Sequence, residues 1–375
     1  MARIRLGMVG GGQGAFIGDV HRIAARLDNR YDLVAAALSS DPQRAADSAK
    51  QLHIAEDRSY ADFKQMAKAE AARDDGIDVV AIVTPNHLHG EVAKAFLAEN
   101  IHVICDKPLT STLAEAEALE NIAASSTALF AVTYNYSGYP MVRHAKHMIA
   151  NGELGKLRVI QVEYAQDWLA TNLEASGQKQ ASWRTDPKLA GAGGSIGDIG
   201  THAFHLAEFI SGLTTTALLA DLESFVPNRS LDDNAHILLR YSGGAKGMLW
   251  VSQVAAGKEN GLKICLFGDK AGLTWRQENP NYLTFTPLGA PAQTLTRGMG
   301  SLSDSAKAAT RIPSGHPEGF LEGFANLYSD IADLISGNVK AGDSLVPNFK
   351  DGLRGMKFID AAVTSSAANG KWIEL

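Results

Sequence analysis

IRLGMVGGGQGAFIGDVH, residues 4–21, decides how the rest of the chain is read. The apolar run from Ile4 to Val9 ends in glycines, and Val20, Ile23, Ala24 and Leu27 then recur at helical spacing. Between them Gly10, Gly12 and Ala15 fit the spacing G-x-G-x-x-G/A. Each small residue has a physical reason to be there. Gly10 permits a tight turn, Gly12 lets a pyrophosphate approach the backbone, and Ala15 allows the helix to pack closely on the strand. The amides of Gln13, Phe16 and Ile17 then fall at the helix start, where phosphates bind. With Gly14 and Gly18 added, the same stretch also reads as a merely flexible loop. The downstream pattern decides between the two.

That pattern is a regular alternation. DLVAAALSS (32–40), IDVVAIVTP (77–85), IHVICDKP (101–108) and ALFAVTYN (128–135) are apolar on nearly every position, and amphipathic segments separate them. Strands buried on both faces and alternating with helices argue for a doubly wound parallel sheet, which binds ligands beyond the carboxyl ends of its strands. A dinucleotide cofactor is the expected ligand. Its adenosine ribose would meet Ser39, Ser40, Asp41 and Arg44 at the second strand's tip. Asp41 either accepts from the ribose 2′-hydroxyl, which favours NAD, or caps its helix while the serines and Arg44 receive the 2′-phosphate of NADP.

The chain has 375 residues, enough for two packed cores, and is 45% hydrophobic. Its 35 Lys and Arg against 41 Asp and Glu give a net charge of −6, which leaves no electrostatic footprint for nucleic acid or an anionic membrane. No window reaches the roughly 18 apolar residues of a membrane span, and the short N-terminal apolar segment is no signal peptide. Cys105 and Cys265 are far apart in apolar runs and read as buried thiols of a reducing compartment. The expected location is the cytoplasm.

After about residue 135 the rhythm changes to longer alternating strands: KLRVIQVEYAQDWL (156–169), AHILLRYSGGAKGMLWVSQVA (235–255), GLKICLFGDKAGLTWR (261–276) and YLTFTPLG (282–289). YSGGAKG and FGDKAG read as hairpin turns with glycine at positive φ, so a mainly antiparallel sheet with one free face is expected. The domains are therefore 1–135, dinucleotide-binding, and 136–375, an α+β substrate domain. GFANLYSDIADLISG (323–337) and FKDGLRGMKFIDAAVTSSA (349–367) are expected to return to the first domain.

Within the second domain, GAGGSIGDIGTHAFHLAEFISG (191–212) reads as a helix from near Ser195 that puts Asp198 and His202 on one face. A carboxylate that orients a histidine is a general acid–base unit, although a helical surface pair has the same spacing. His202 and His205 could also ligate a metal, but no further ligand cluster of recognisable spacing accompanies them, and no metal is expected.

The fingerprint, then TPNHLHGEVA (84–93), then CDKP (105–108), then GGSIGDIGTH (193–202), in this order, resembles the Gfo/Idh/MocA family of oxidoreductases over nearly the whole chain. The resemblance implies a Rossmann domain followed by an open-faced sheet domain, with substrate held between the nicotinamide ring and that sheet. It makes Lys107, Asp198 and His202 the catalytic set, and puts Thr84, Pro85, Asn86, His89, Asp106 and Lys107 beside the cofactor. Pro108 would follow a cis peptide bond that aims the lysine. The family's commoner Glu-Lys-Pro is Asp106-Lys107-Pro108 here, and the glycine loop before His21 is longer than usual.

The implied chemistry is NAD(P)-dependent oxidation of a ring hydroxyl of a cyclitol, such as an inositol, or of an aldose. Substrate candidates besides the catalytic set are Tyr136, Trp183, Arg184 and His316. Tyr136 and Tyr139 either face the pocket or pack the domain junction. Trp183 and Arg184 either contact a hydroxyl-rich ring or stiffen a polar loop. The resemblance also implies two alternatives: an NAD-using glycosidase or keto-sugar reductase of the same fold, and a non-catalytic sensor, which needs no proton relay. The free sheet face points to a homodimer or homotetramer.

Overall fold

The computed structural model describes residues 3–375, and its contacts divide the chain into two units. The first comprises the chain to Asn135 together with Phe324–Leu353; the second comprises Tyr136–Gly323 and Arg354–Leu375.

In the first unit β1 (Ile4–Gly10), α1 (Phe16–Leu27), β2 (Tyr31–Ala37), α2 (Pro42–Gln51), α3 (Phe63–Ala71), β3 (Val79–Val83), α4 (His89–Ala98), β4 (His102–Cys105), α5 (Leu113–Ser125) and β5 (Phe130–Val132) follow one another. The five strands form one parallel sheet in the order β2-β1-β3-β4-β5. Helices cover the sheet, and its central strand β3, VVAIV, is buried at every residue, which is why it can be apolar at every position. Helix starts follow local chemistry: Asp41 and Asp62 cap α2 and α3, and Thr112 with Glu115 forms a capping box on α5.

The second unit opens with α6 (Pro140–Ala150) and β6 (Leu157–Ala165). The connection that reads as a polar loop holds two short helices, α7 (Lys179–Arg184) and α8 (Pro187–Ala190). Their caps explain them: Gln178 accepts from the Ala181 amide and Asp186 from the Lys188 amide. Then come α9 (Thr201–Ser211), β7 (Thr215–Glu223), β8 (Asn234–Tyr241), β9 (Lys246–Ser252), β10 (Gly261–Gly268), β11 (Ala271–Arg276), β12 (Tyr282–Pro287), β13 (Gln293–Thr296) and α10 (Asp304–Ala308). The chain closes with α11 (Phe320–Ile335), α12 (Phe349–Ala367) and β14 (Ile373–Glu374).

These strands make one nine-stranded sheet, β13-β12-β11-β10-β6-β9-β8-β7-β14. All its pairings are antiparallel except β6 with β9, whose carboxyl ends therefore emerge side by side. α9 packs on β6 and β10. The other face exposes Val159, Leu238, Met248 and Phe267. The first hairpin turns with Gly243 and Gly244 at φ 75° and 89°. The second turns through Asp269 and Lys270, and its glycines stay outside the left-handed region, contrary to the expectation.

The C-terminal helices divide differently from the sequence reading. Phe324–Ile335 belongs to the first unit, where Tyr31 Oη donates to the Tyr328 carbonyl at 2.7 Å and Arg30 pairs with Asp333. Most of α12 belongs to the second, because Phe358 stacks on Phe204 with ring centres 4.5 Å apart and Ser365 Oγ accepts from the Ala220 amide. Among the described residues no helix is long and apolar enough to cross a membrane.

Candidate active site

The first unit contributes a glycine turn. Gly10, Gly11 and Gly14 have φ of 80°, 72° and 75°, and the Ala15 amide donates to the Gly12 carbonyl at 3.1 Å. Gly11 and Gly18 approach each other closely. A Cβ on Gly18 would lie 2.5 Å from the Gly11 Cα, so a side chain there would push the loop off α1. Arg22 Nη1 donates to the Gly11 carbonyl at 2.7 Å and fixes the loop from behind. α1 starts at Phe16 without a side-chain cap, and nearby Thr84 Oγ1 is buried without a hydrogen-bond partner. Uncapped amides at a helix start beside an unsatisfied hydroxyl fit the diphosphate and polar groups of a dinucleotide. Gln13 and Phe16 are exposed, and Ile17 is half-buried.

At the tip of β2, Asp41 does cap α2: its Oδ1 accepts from the Arg44 amide at 2.7 Å, and its own amide donates to Ser39 Oγ at 3.1 Å. Ser40, Asp41 and Arg44 are exposed.

Lys107 follows the carboxyl end of β4. Asp106 Oδ1 accepts from the Lys107 amide at 2.8 Å and from Thr133 Oγ1 at 2.9 Å, which ties the turn to the end of β5. The Lys107–Pro108 peptide is cis. His89 is buried, with Nδ1 2.8 Å from the Pro108 carbonyl and Nε2 2.9 Å from the Thr84 carbonyl, so its ring braces the ends of β3 and β4 from below. Burial lowers its pKa. Asn86 is buried on the turn after Pro85. Beneath them His21 Nδ1 lies 2.8 Å from Tyr328 Oη, and burial pushes its imidazole down to about 4.

The second unit carries Asp198 and His202. The helix expected from Ser195 is there, but Ile196–Gly200 is a wide π turn that leads into α9. Asp232 secures its start, since the buried carboxylate accepts from the Gly194 amide at 2.7 Å, Ser195 Oγ at 2.5 Å and the Ile196 amide at 2.9 Å. Burial nonetheless raises its pKa. Gly194 is required there, because a Cβ would stand 2.1 Å from the Asp232 carbonyl.

Two side chains grip Asp198: Gln253 Nε2 donates to Oδ2 at 2.9 Å, and Arg184 Nε lies 3.3 Å from Oδ1. Arg184 in turn lies over the half-buried Trp183 ring, its Cζ 4.2 Å from the ring centre. His202 is buried against Tyr136, ring centres 4.9 Å apart and nearly perpendicular. Tyr136 shares a 2.5 Å hydrogen bond with Tyr164 Oη, and burial pushes its phenol up to about 12. Tyr139 is packing, edge-on to Trp275. His316 is an exposed residue of the loop before α11, whose backbone Arg297 gathers by donating to the Ile312, Pro313 and His316 carbonyls.

The sequence reading missed Gln253, Asp232, Tyr164, Asn260 and Gln166. Gln253 is 55 residues from Asp198, and Asp232 is 37 from Ser195; they become neighbours because the end of β9 and the start of β8 meet, the Gln253 amide donating to the Asp233 carbonyl, and both pack on the π turn.

Comparison with known proteins identifies the family. Residues 4–134 match the model of the oxidoreductase family with an NAD-binding Rossmann fold, and residues 142–274 match the GFO/IDH/MocA C-terminal domain. An uncharacterised oxidoreductase of Bacillus subtilis is 36% identical over 99% of this chain and 96% of its own. The crystal structure of an oxidoreductase from Sinorhizobium meliloti is 54% identical, with both chains fully covered and a TM-score of 0.92. An inositol dehydrogenase homologue from Azotobacter vinelandii, crystallised with NADH and myo-inositol, is 38% identical over 100% of this chain and 98% of its own, with a TM-score of 0.93. The chain is an NAD-binding oxidoreductase of the Gfo/Idh/MocA family.

Proposed function

We propose that the protein is a dehydrogenase that oxidises a ring hydroxyl of a cyclitol or sugar to the ketone. The observation that carries the reading is the gripped Asp198 one helical turn before His202, in a chain whose first unit binds NAD and presents Lys107 at a strand end. The likeness to a protein crystallised with NADH and myo-inositol supports the substrate class. Bound NAD would supply the acceptor for the hydride that leaves the carbinol carbon. His202 takes the hydroxyl proton, Asp198 keeps a negative charge beside the imidazolium that results, and Lys107 stabilises the developing alkoxide. In this reading Gly10, Gly12, Gln13, Ala15, Phe16 and Ile17 hold the diphosphate, and the β2 tip meets the ribose. His89 acts as a brace of the turn that carries Lys107.

The same reading includes a homodimer or homotetramer through the exposed sheet face with Val159, Leu238, Met248 and Phe267. The test of the activity is NADH formation from NAD across a panel of inositols, aldoses and sugar acids. Turnover of a neutral cyclitol or aldose is expected; a panel on which only acidic substrates react would refute it.

A further inference from the structure

We propose that Gln166 is a specificity residue of this site, whose side-chain carbonyl accepts a hydrogen bond from a substrate hydroxyl other than the one oxidised. The inference rests on the dehydrogenase reading and deepens it. Gln166 directly follows β6 and Gln253 directly follows β9. These two strands run parallel with Ala165 opposite Ser252, and the Gln166 amide donates to the Ser252 carbonyl at 2.8 Å. Gln166 therefore lies next to the residue that grips Asp198. Tyr164, two residues earlier, projects to the same side of the strand, and its ring centre is 6.4 Å from that of His202.

A line of hydrogen bonds fixes the amide. Tyr164 Oη donates to Asn260 Oδ1 at 2.8 Å, so the 2.5 Å bond between the two phenols runs from Tyr136 to Tyr164. Gln166 Nε2 donates to the same Asn260 oxygen at 2.7 Å. Two donors occupy both lone pairs of Asn260 Oδ1. The Gln166 nitrogen is committed to Asn260, and its carbonyl oxygen is buried without a hydrogen-bond partner. A buried unsatisfied acceptor is costly, and a hydroxyl donor relieves it where an ether, a fluorine or an anionic oxygen does not. The site thus selects a neutral polyol with a free hydroxyl at one position and disfavours a carboxylate or phosphate there.

The test takes whichever neutral cyclitol or aldose of that panel the enzyme oxidises fastest, with its monodeoxy and monofluorinated-deoxy analogues, on the wild type and on Gln166→Met, a near-isostere lacking the acceptor. At one non-reacting position the wild type is expected to lose roughly 10- to 100-fold in kcat/KM with both analogues. In Gln166→Met that penalty is expected to shrink to about threefold or less, because the parent falls toward the analogues. An undiminished penalty in the variant overturns the inference. The wild type alone also tests it should the variant fail to fold: fluorinated analogues that react as well as the parent at every position overturn it, since fluorine cannot donate. Absence of turnover by the wild type on every neutral cyclitol and aldose of the panel overturns the dehydrogenase reading and this inference together. Turnover with unmoved penalties overturns this inference alone.

Discussion

Gln253 Nε2 donates to Asp198 Oδ2 across 2.9 Å, joining the end of β9 to the π turn before α9. Gln253 is almost fully buried and its own amide donates to the Asp233 carbonyl, so the carboxylate is held by a side chain with no freedom to leave. The carboxylate's orientation therefore depends on Gln253 at one oxygen and on Arg184 at the other.

Gln253→Leu removes one hydrogen bond to a charged group, worth about 1.5–3 kcal/mol, or roughly 10- to 150-fold in kcat/KM. NADH binding to the first unit is expected to stay unchanged, as read by nicotinamide fluorescence. Equal losses in NADH binding and turnover would mean that the substitution disturbs the whole fold.

Arg297 and Glu318 form an ion pair at 2.7 Å, each side chain about 2% exposed. Glu318 Oε1 also accepts from the Arg311 and Ile312 amides. Removing one partner strands a buried charge, so Arg297→Ala is expected to destabilise the second unit by about 3–5 kcal/mol. Denaturant unfolding of the two proteins checks it; a loss under about 1 kcal/mol contradicts it.

Burial pushes the His21 imidazole down to about 4 and the His205 imidazole down to about 3, against an ordinary value of 6.5. The folded chain keeps both rings neutral, while the unfolded chain takes up protons below 6.5. Stability therefore rises with pH from about 3 for His205 and from about 4 for His21 up to about 6.5, and gains nothing further from these groups above that. Each histidine contributes a slope of about 1.4 kcal/mol per pH unit inside the window. Thermal midpoints measured between about pH 5 and pH 7 should climb, and His205→Leu should flatten the climb; an unchanged slope in that variant contradicts the assignment.

Leu238 and Met248 face away from the helices on adjacent strands and are nearly half exposed. Leu238→Glu with Met248→Glu is expected to convert the proposed oligomer to monomer in sedimentation, with the fold intact by circular dichroism. A wild type that sediments only as monomer at micromolar concentration refutes the interface.

The parallel sheet was legible because burial on both faces writes itself as unbroken apolar runs, VVAIV above all, and the glycine turn because backbone approach leaves no substitute for glycine. The helix that carries His202 was legible from its apolar spacing, whereas the π turn that carries Asp198 was not. Asp232, Gln253 and Asn260 were not, since their neighbours come from strand order rather than from spacing. The division of α12 was equally hidden: Leu353 and Arg354 are consecutive in one apolar pattern, and only the partners of Phe358 and Ser365 assign the remainder to the second unit.

The proposed chemistry turns on Lys107 stabilising an alkoxide while a ring hydroxyl is oxidised. The deciding quantity is the rate of NADH formation from NAD and the best cyclitol or aldose substrate, for the wild type and Lys107→Ala, with NADH affinity determined on the same samples. A loss of roughly 100- to 1,000-fold in kcat is expected, with NADH affinity retained. Wild-type kcat in Lys107→Ala would contradict the role given to this lysine.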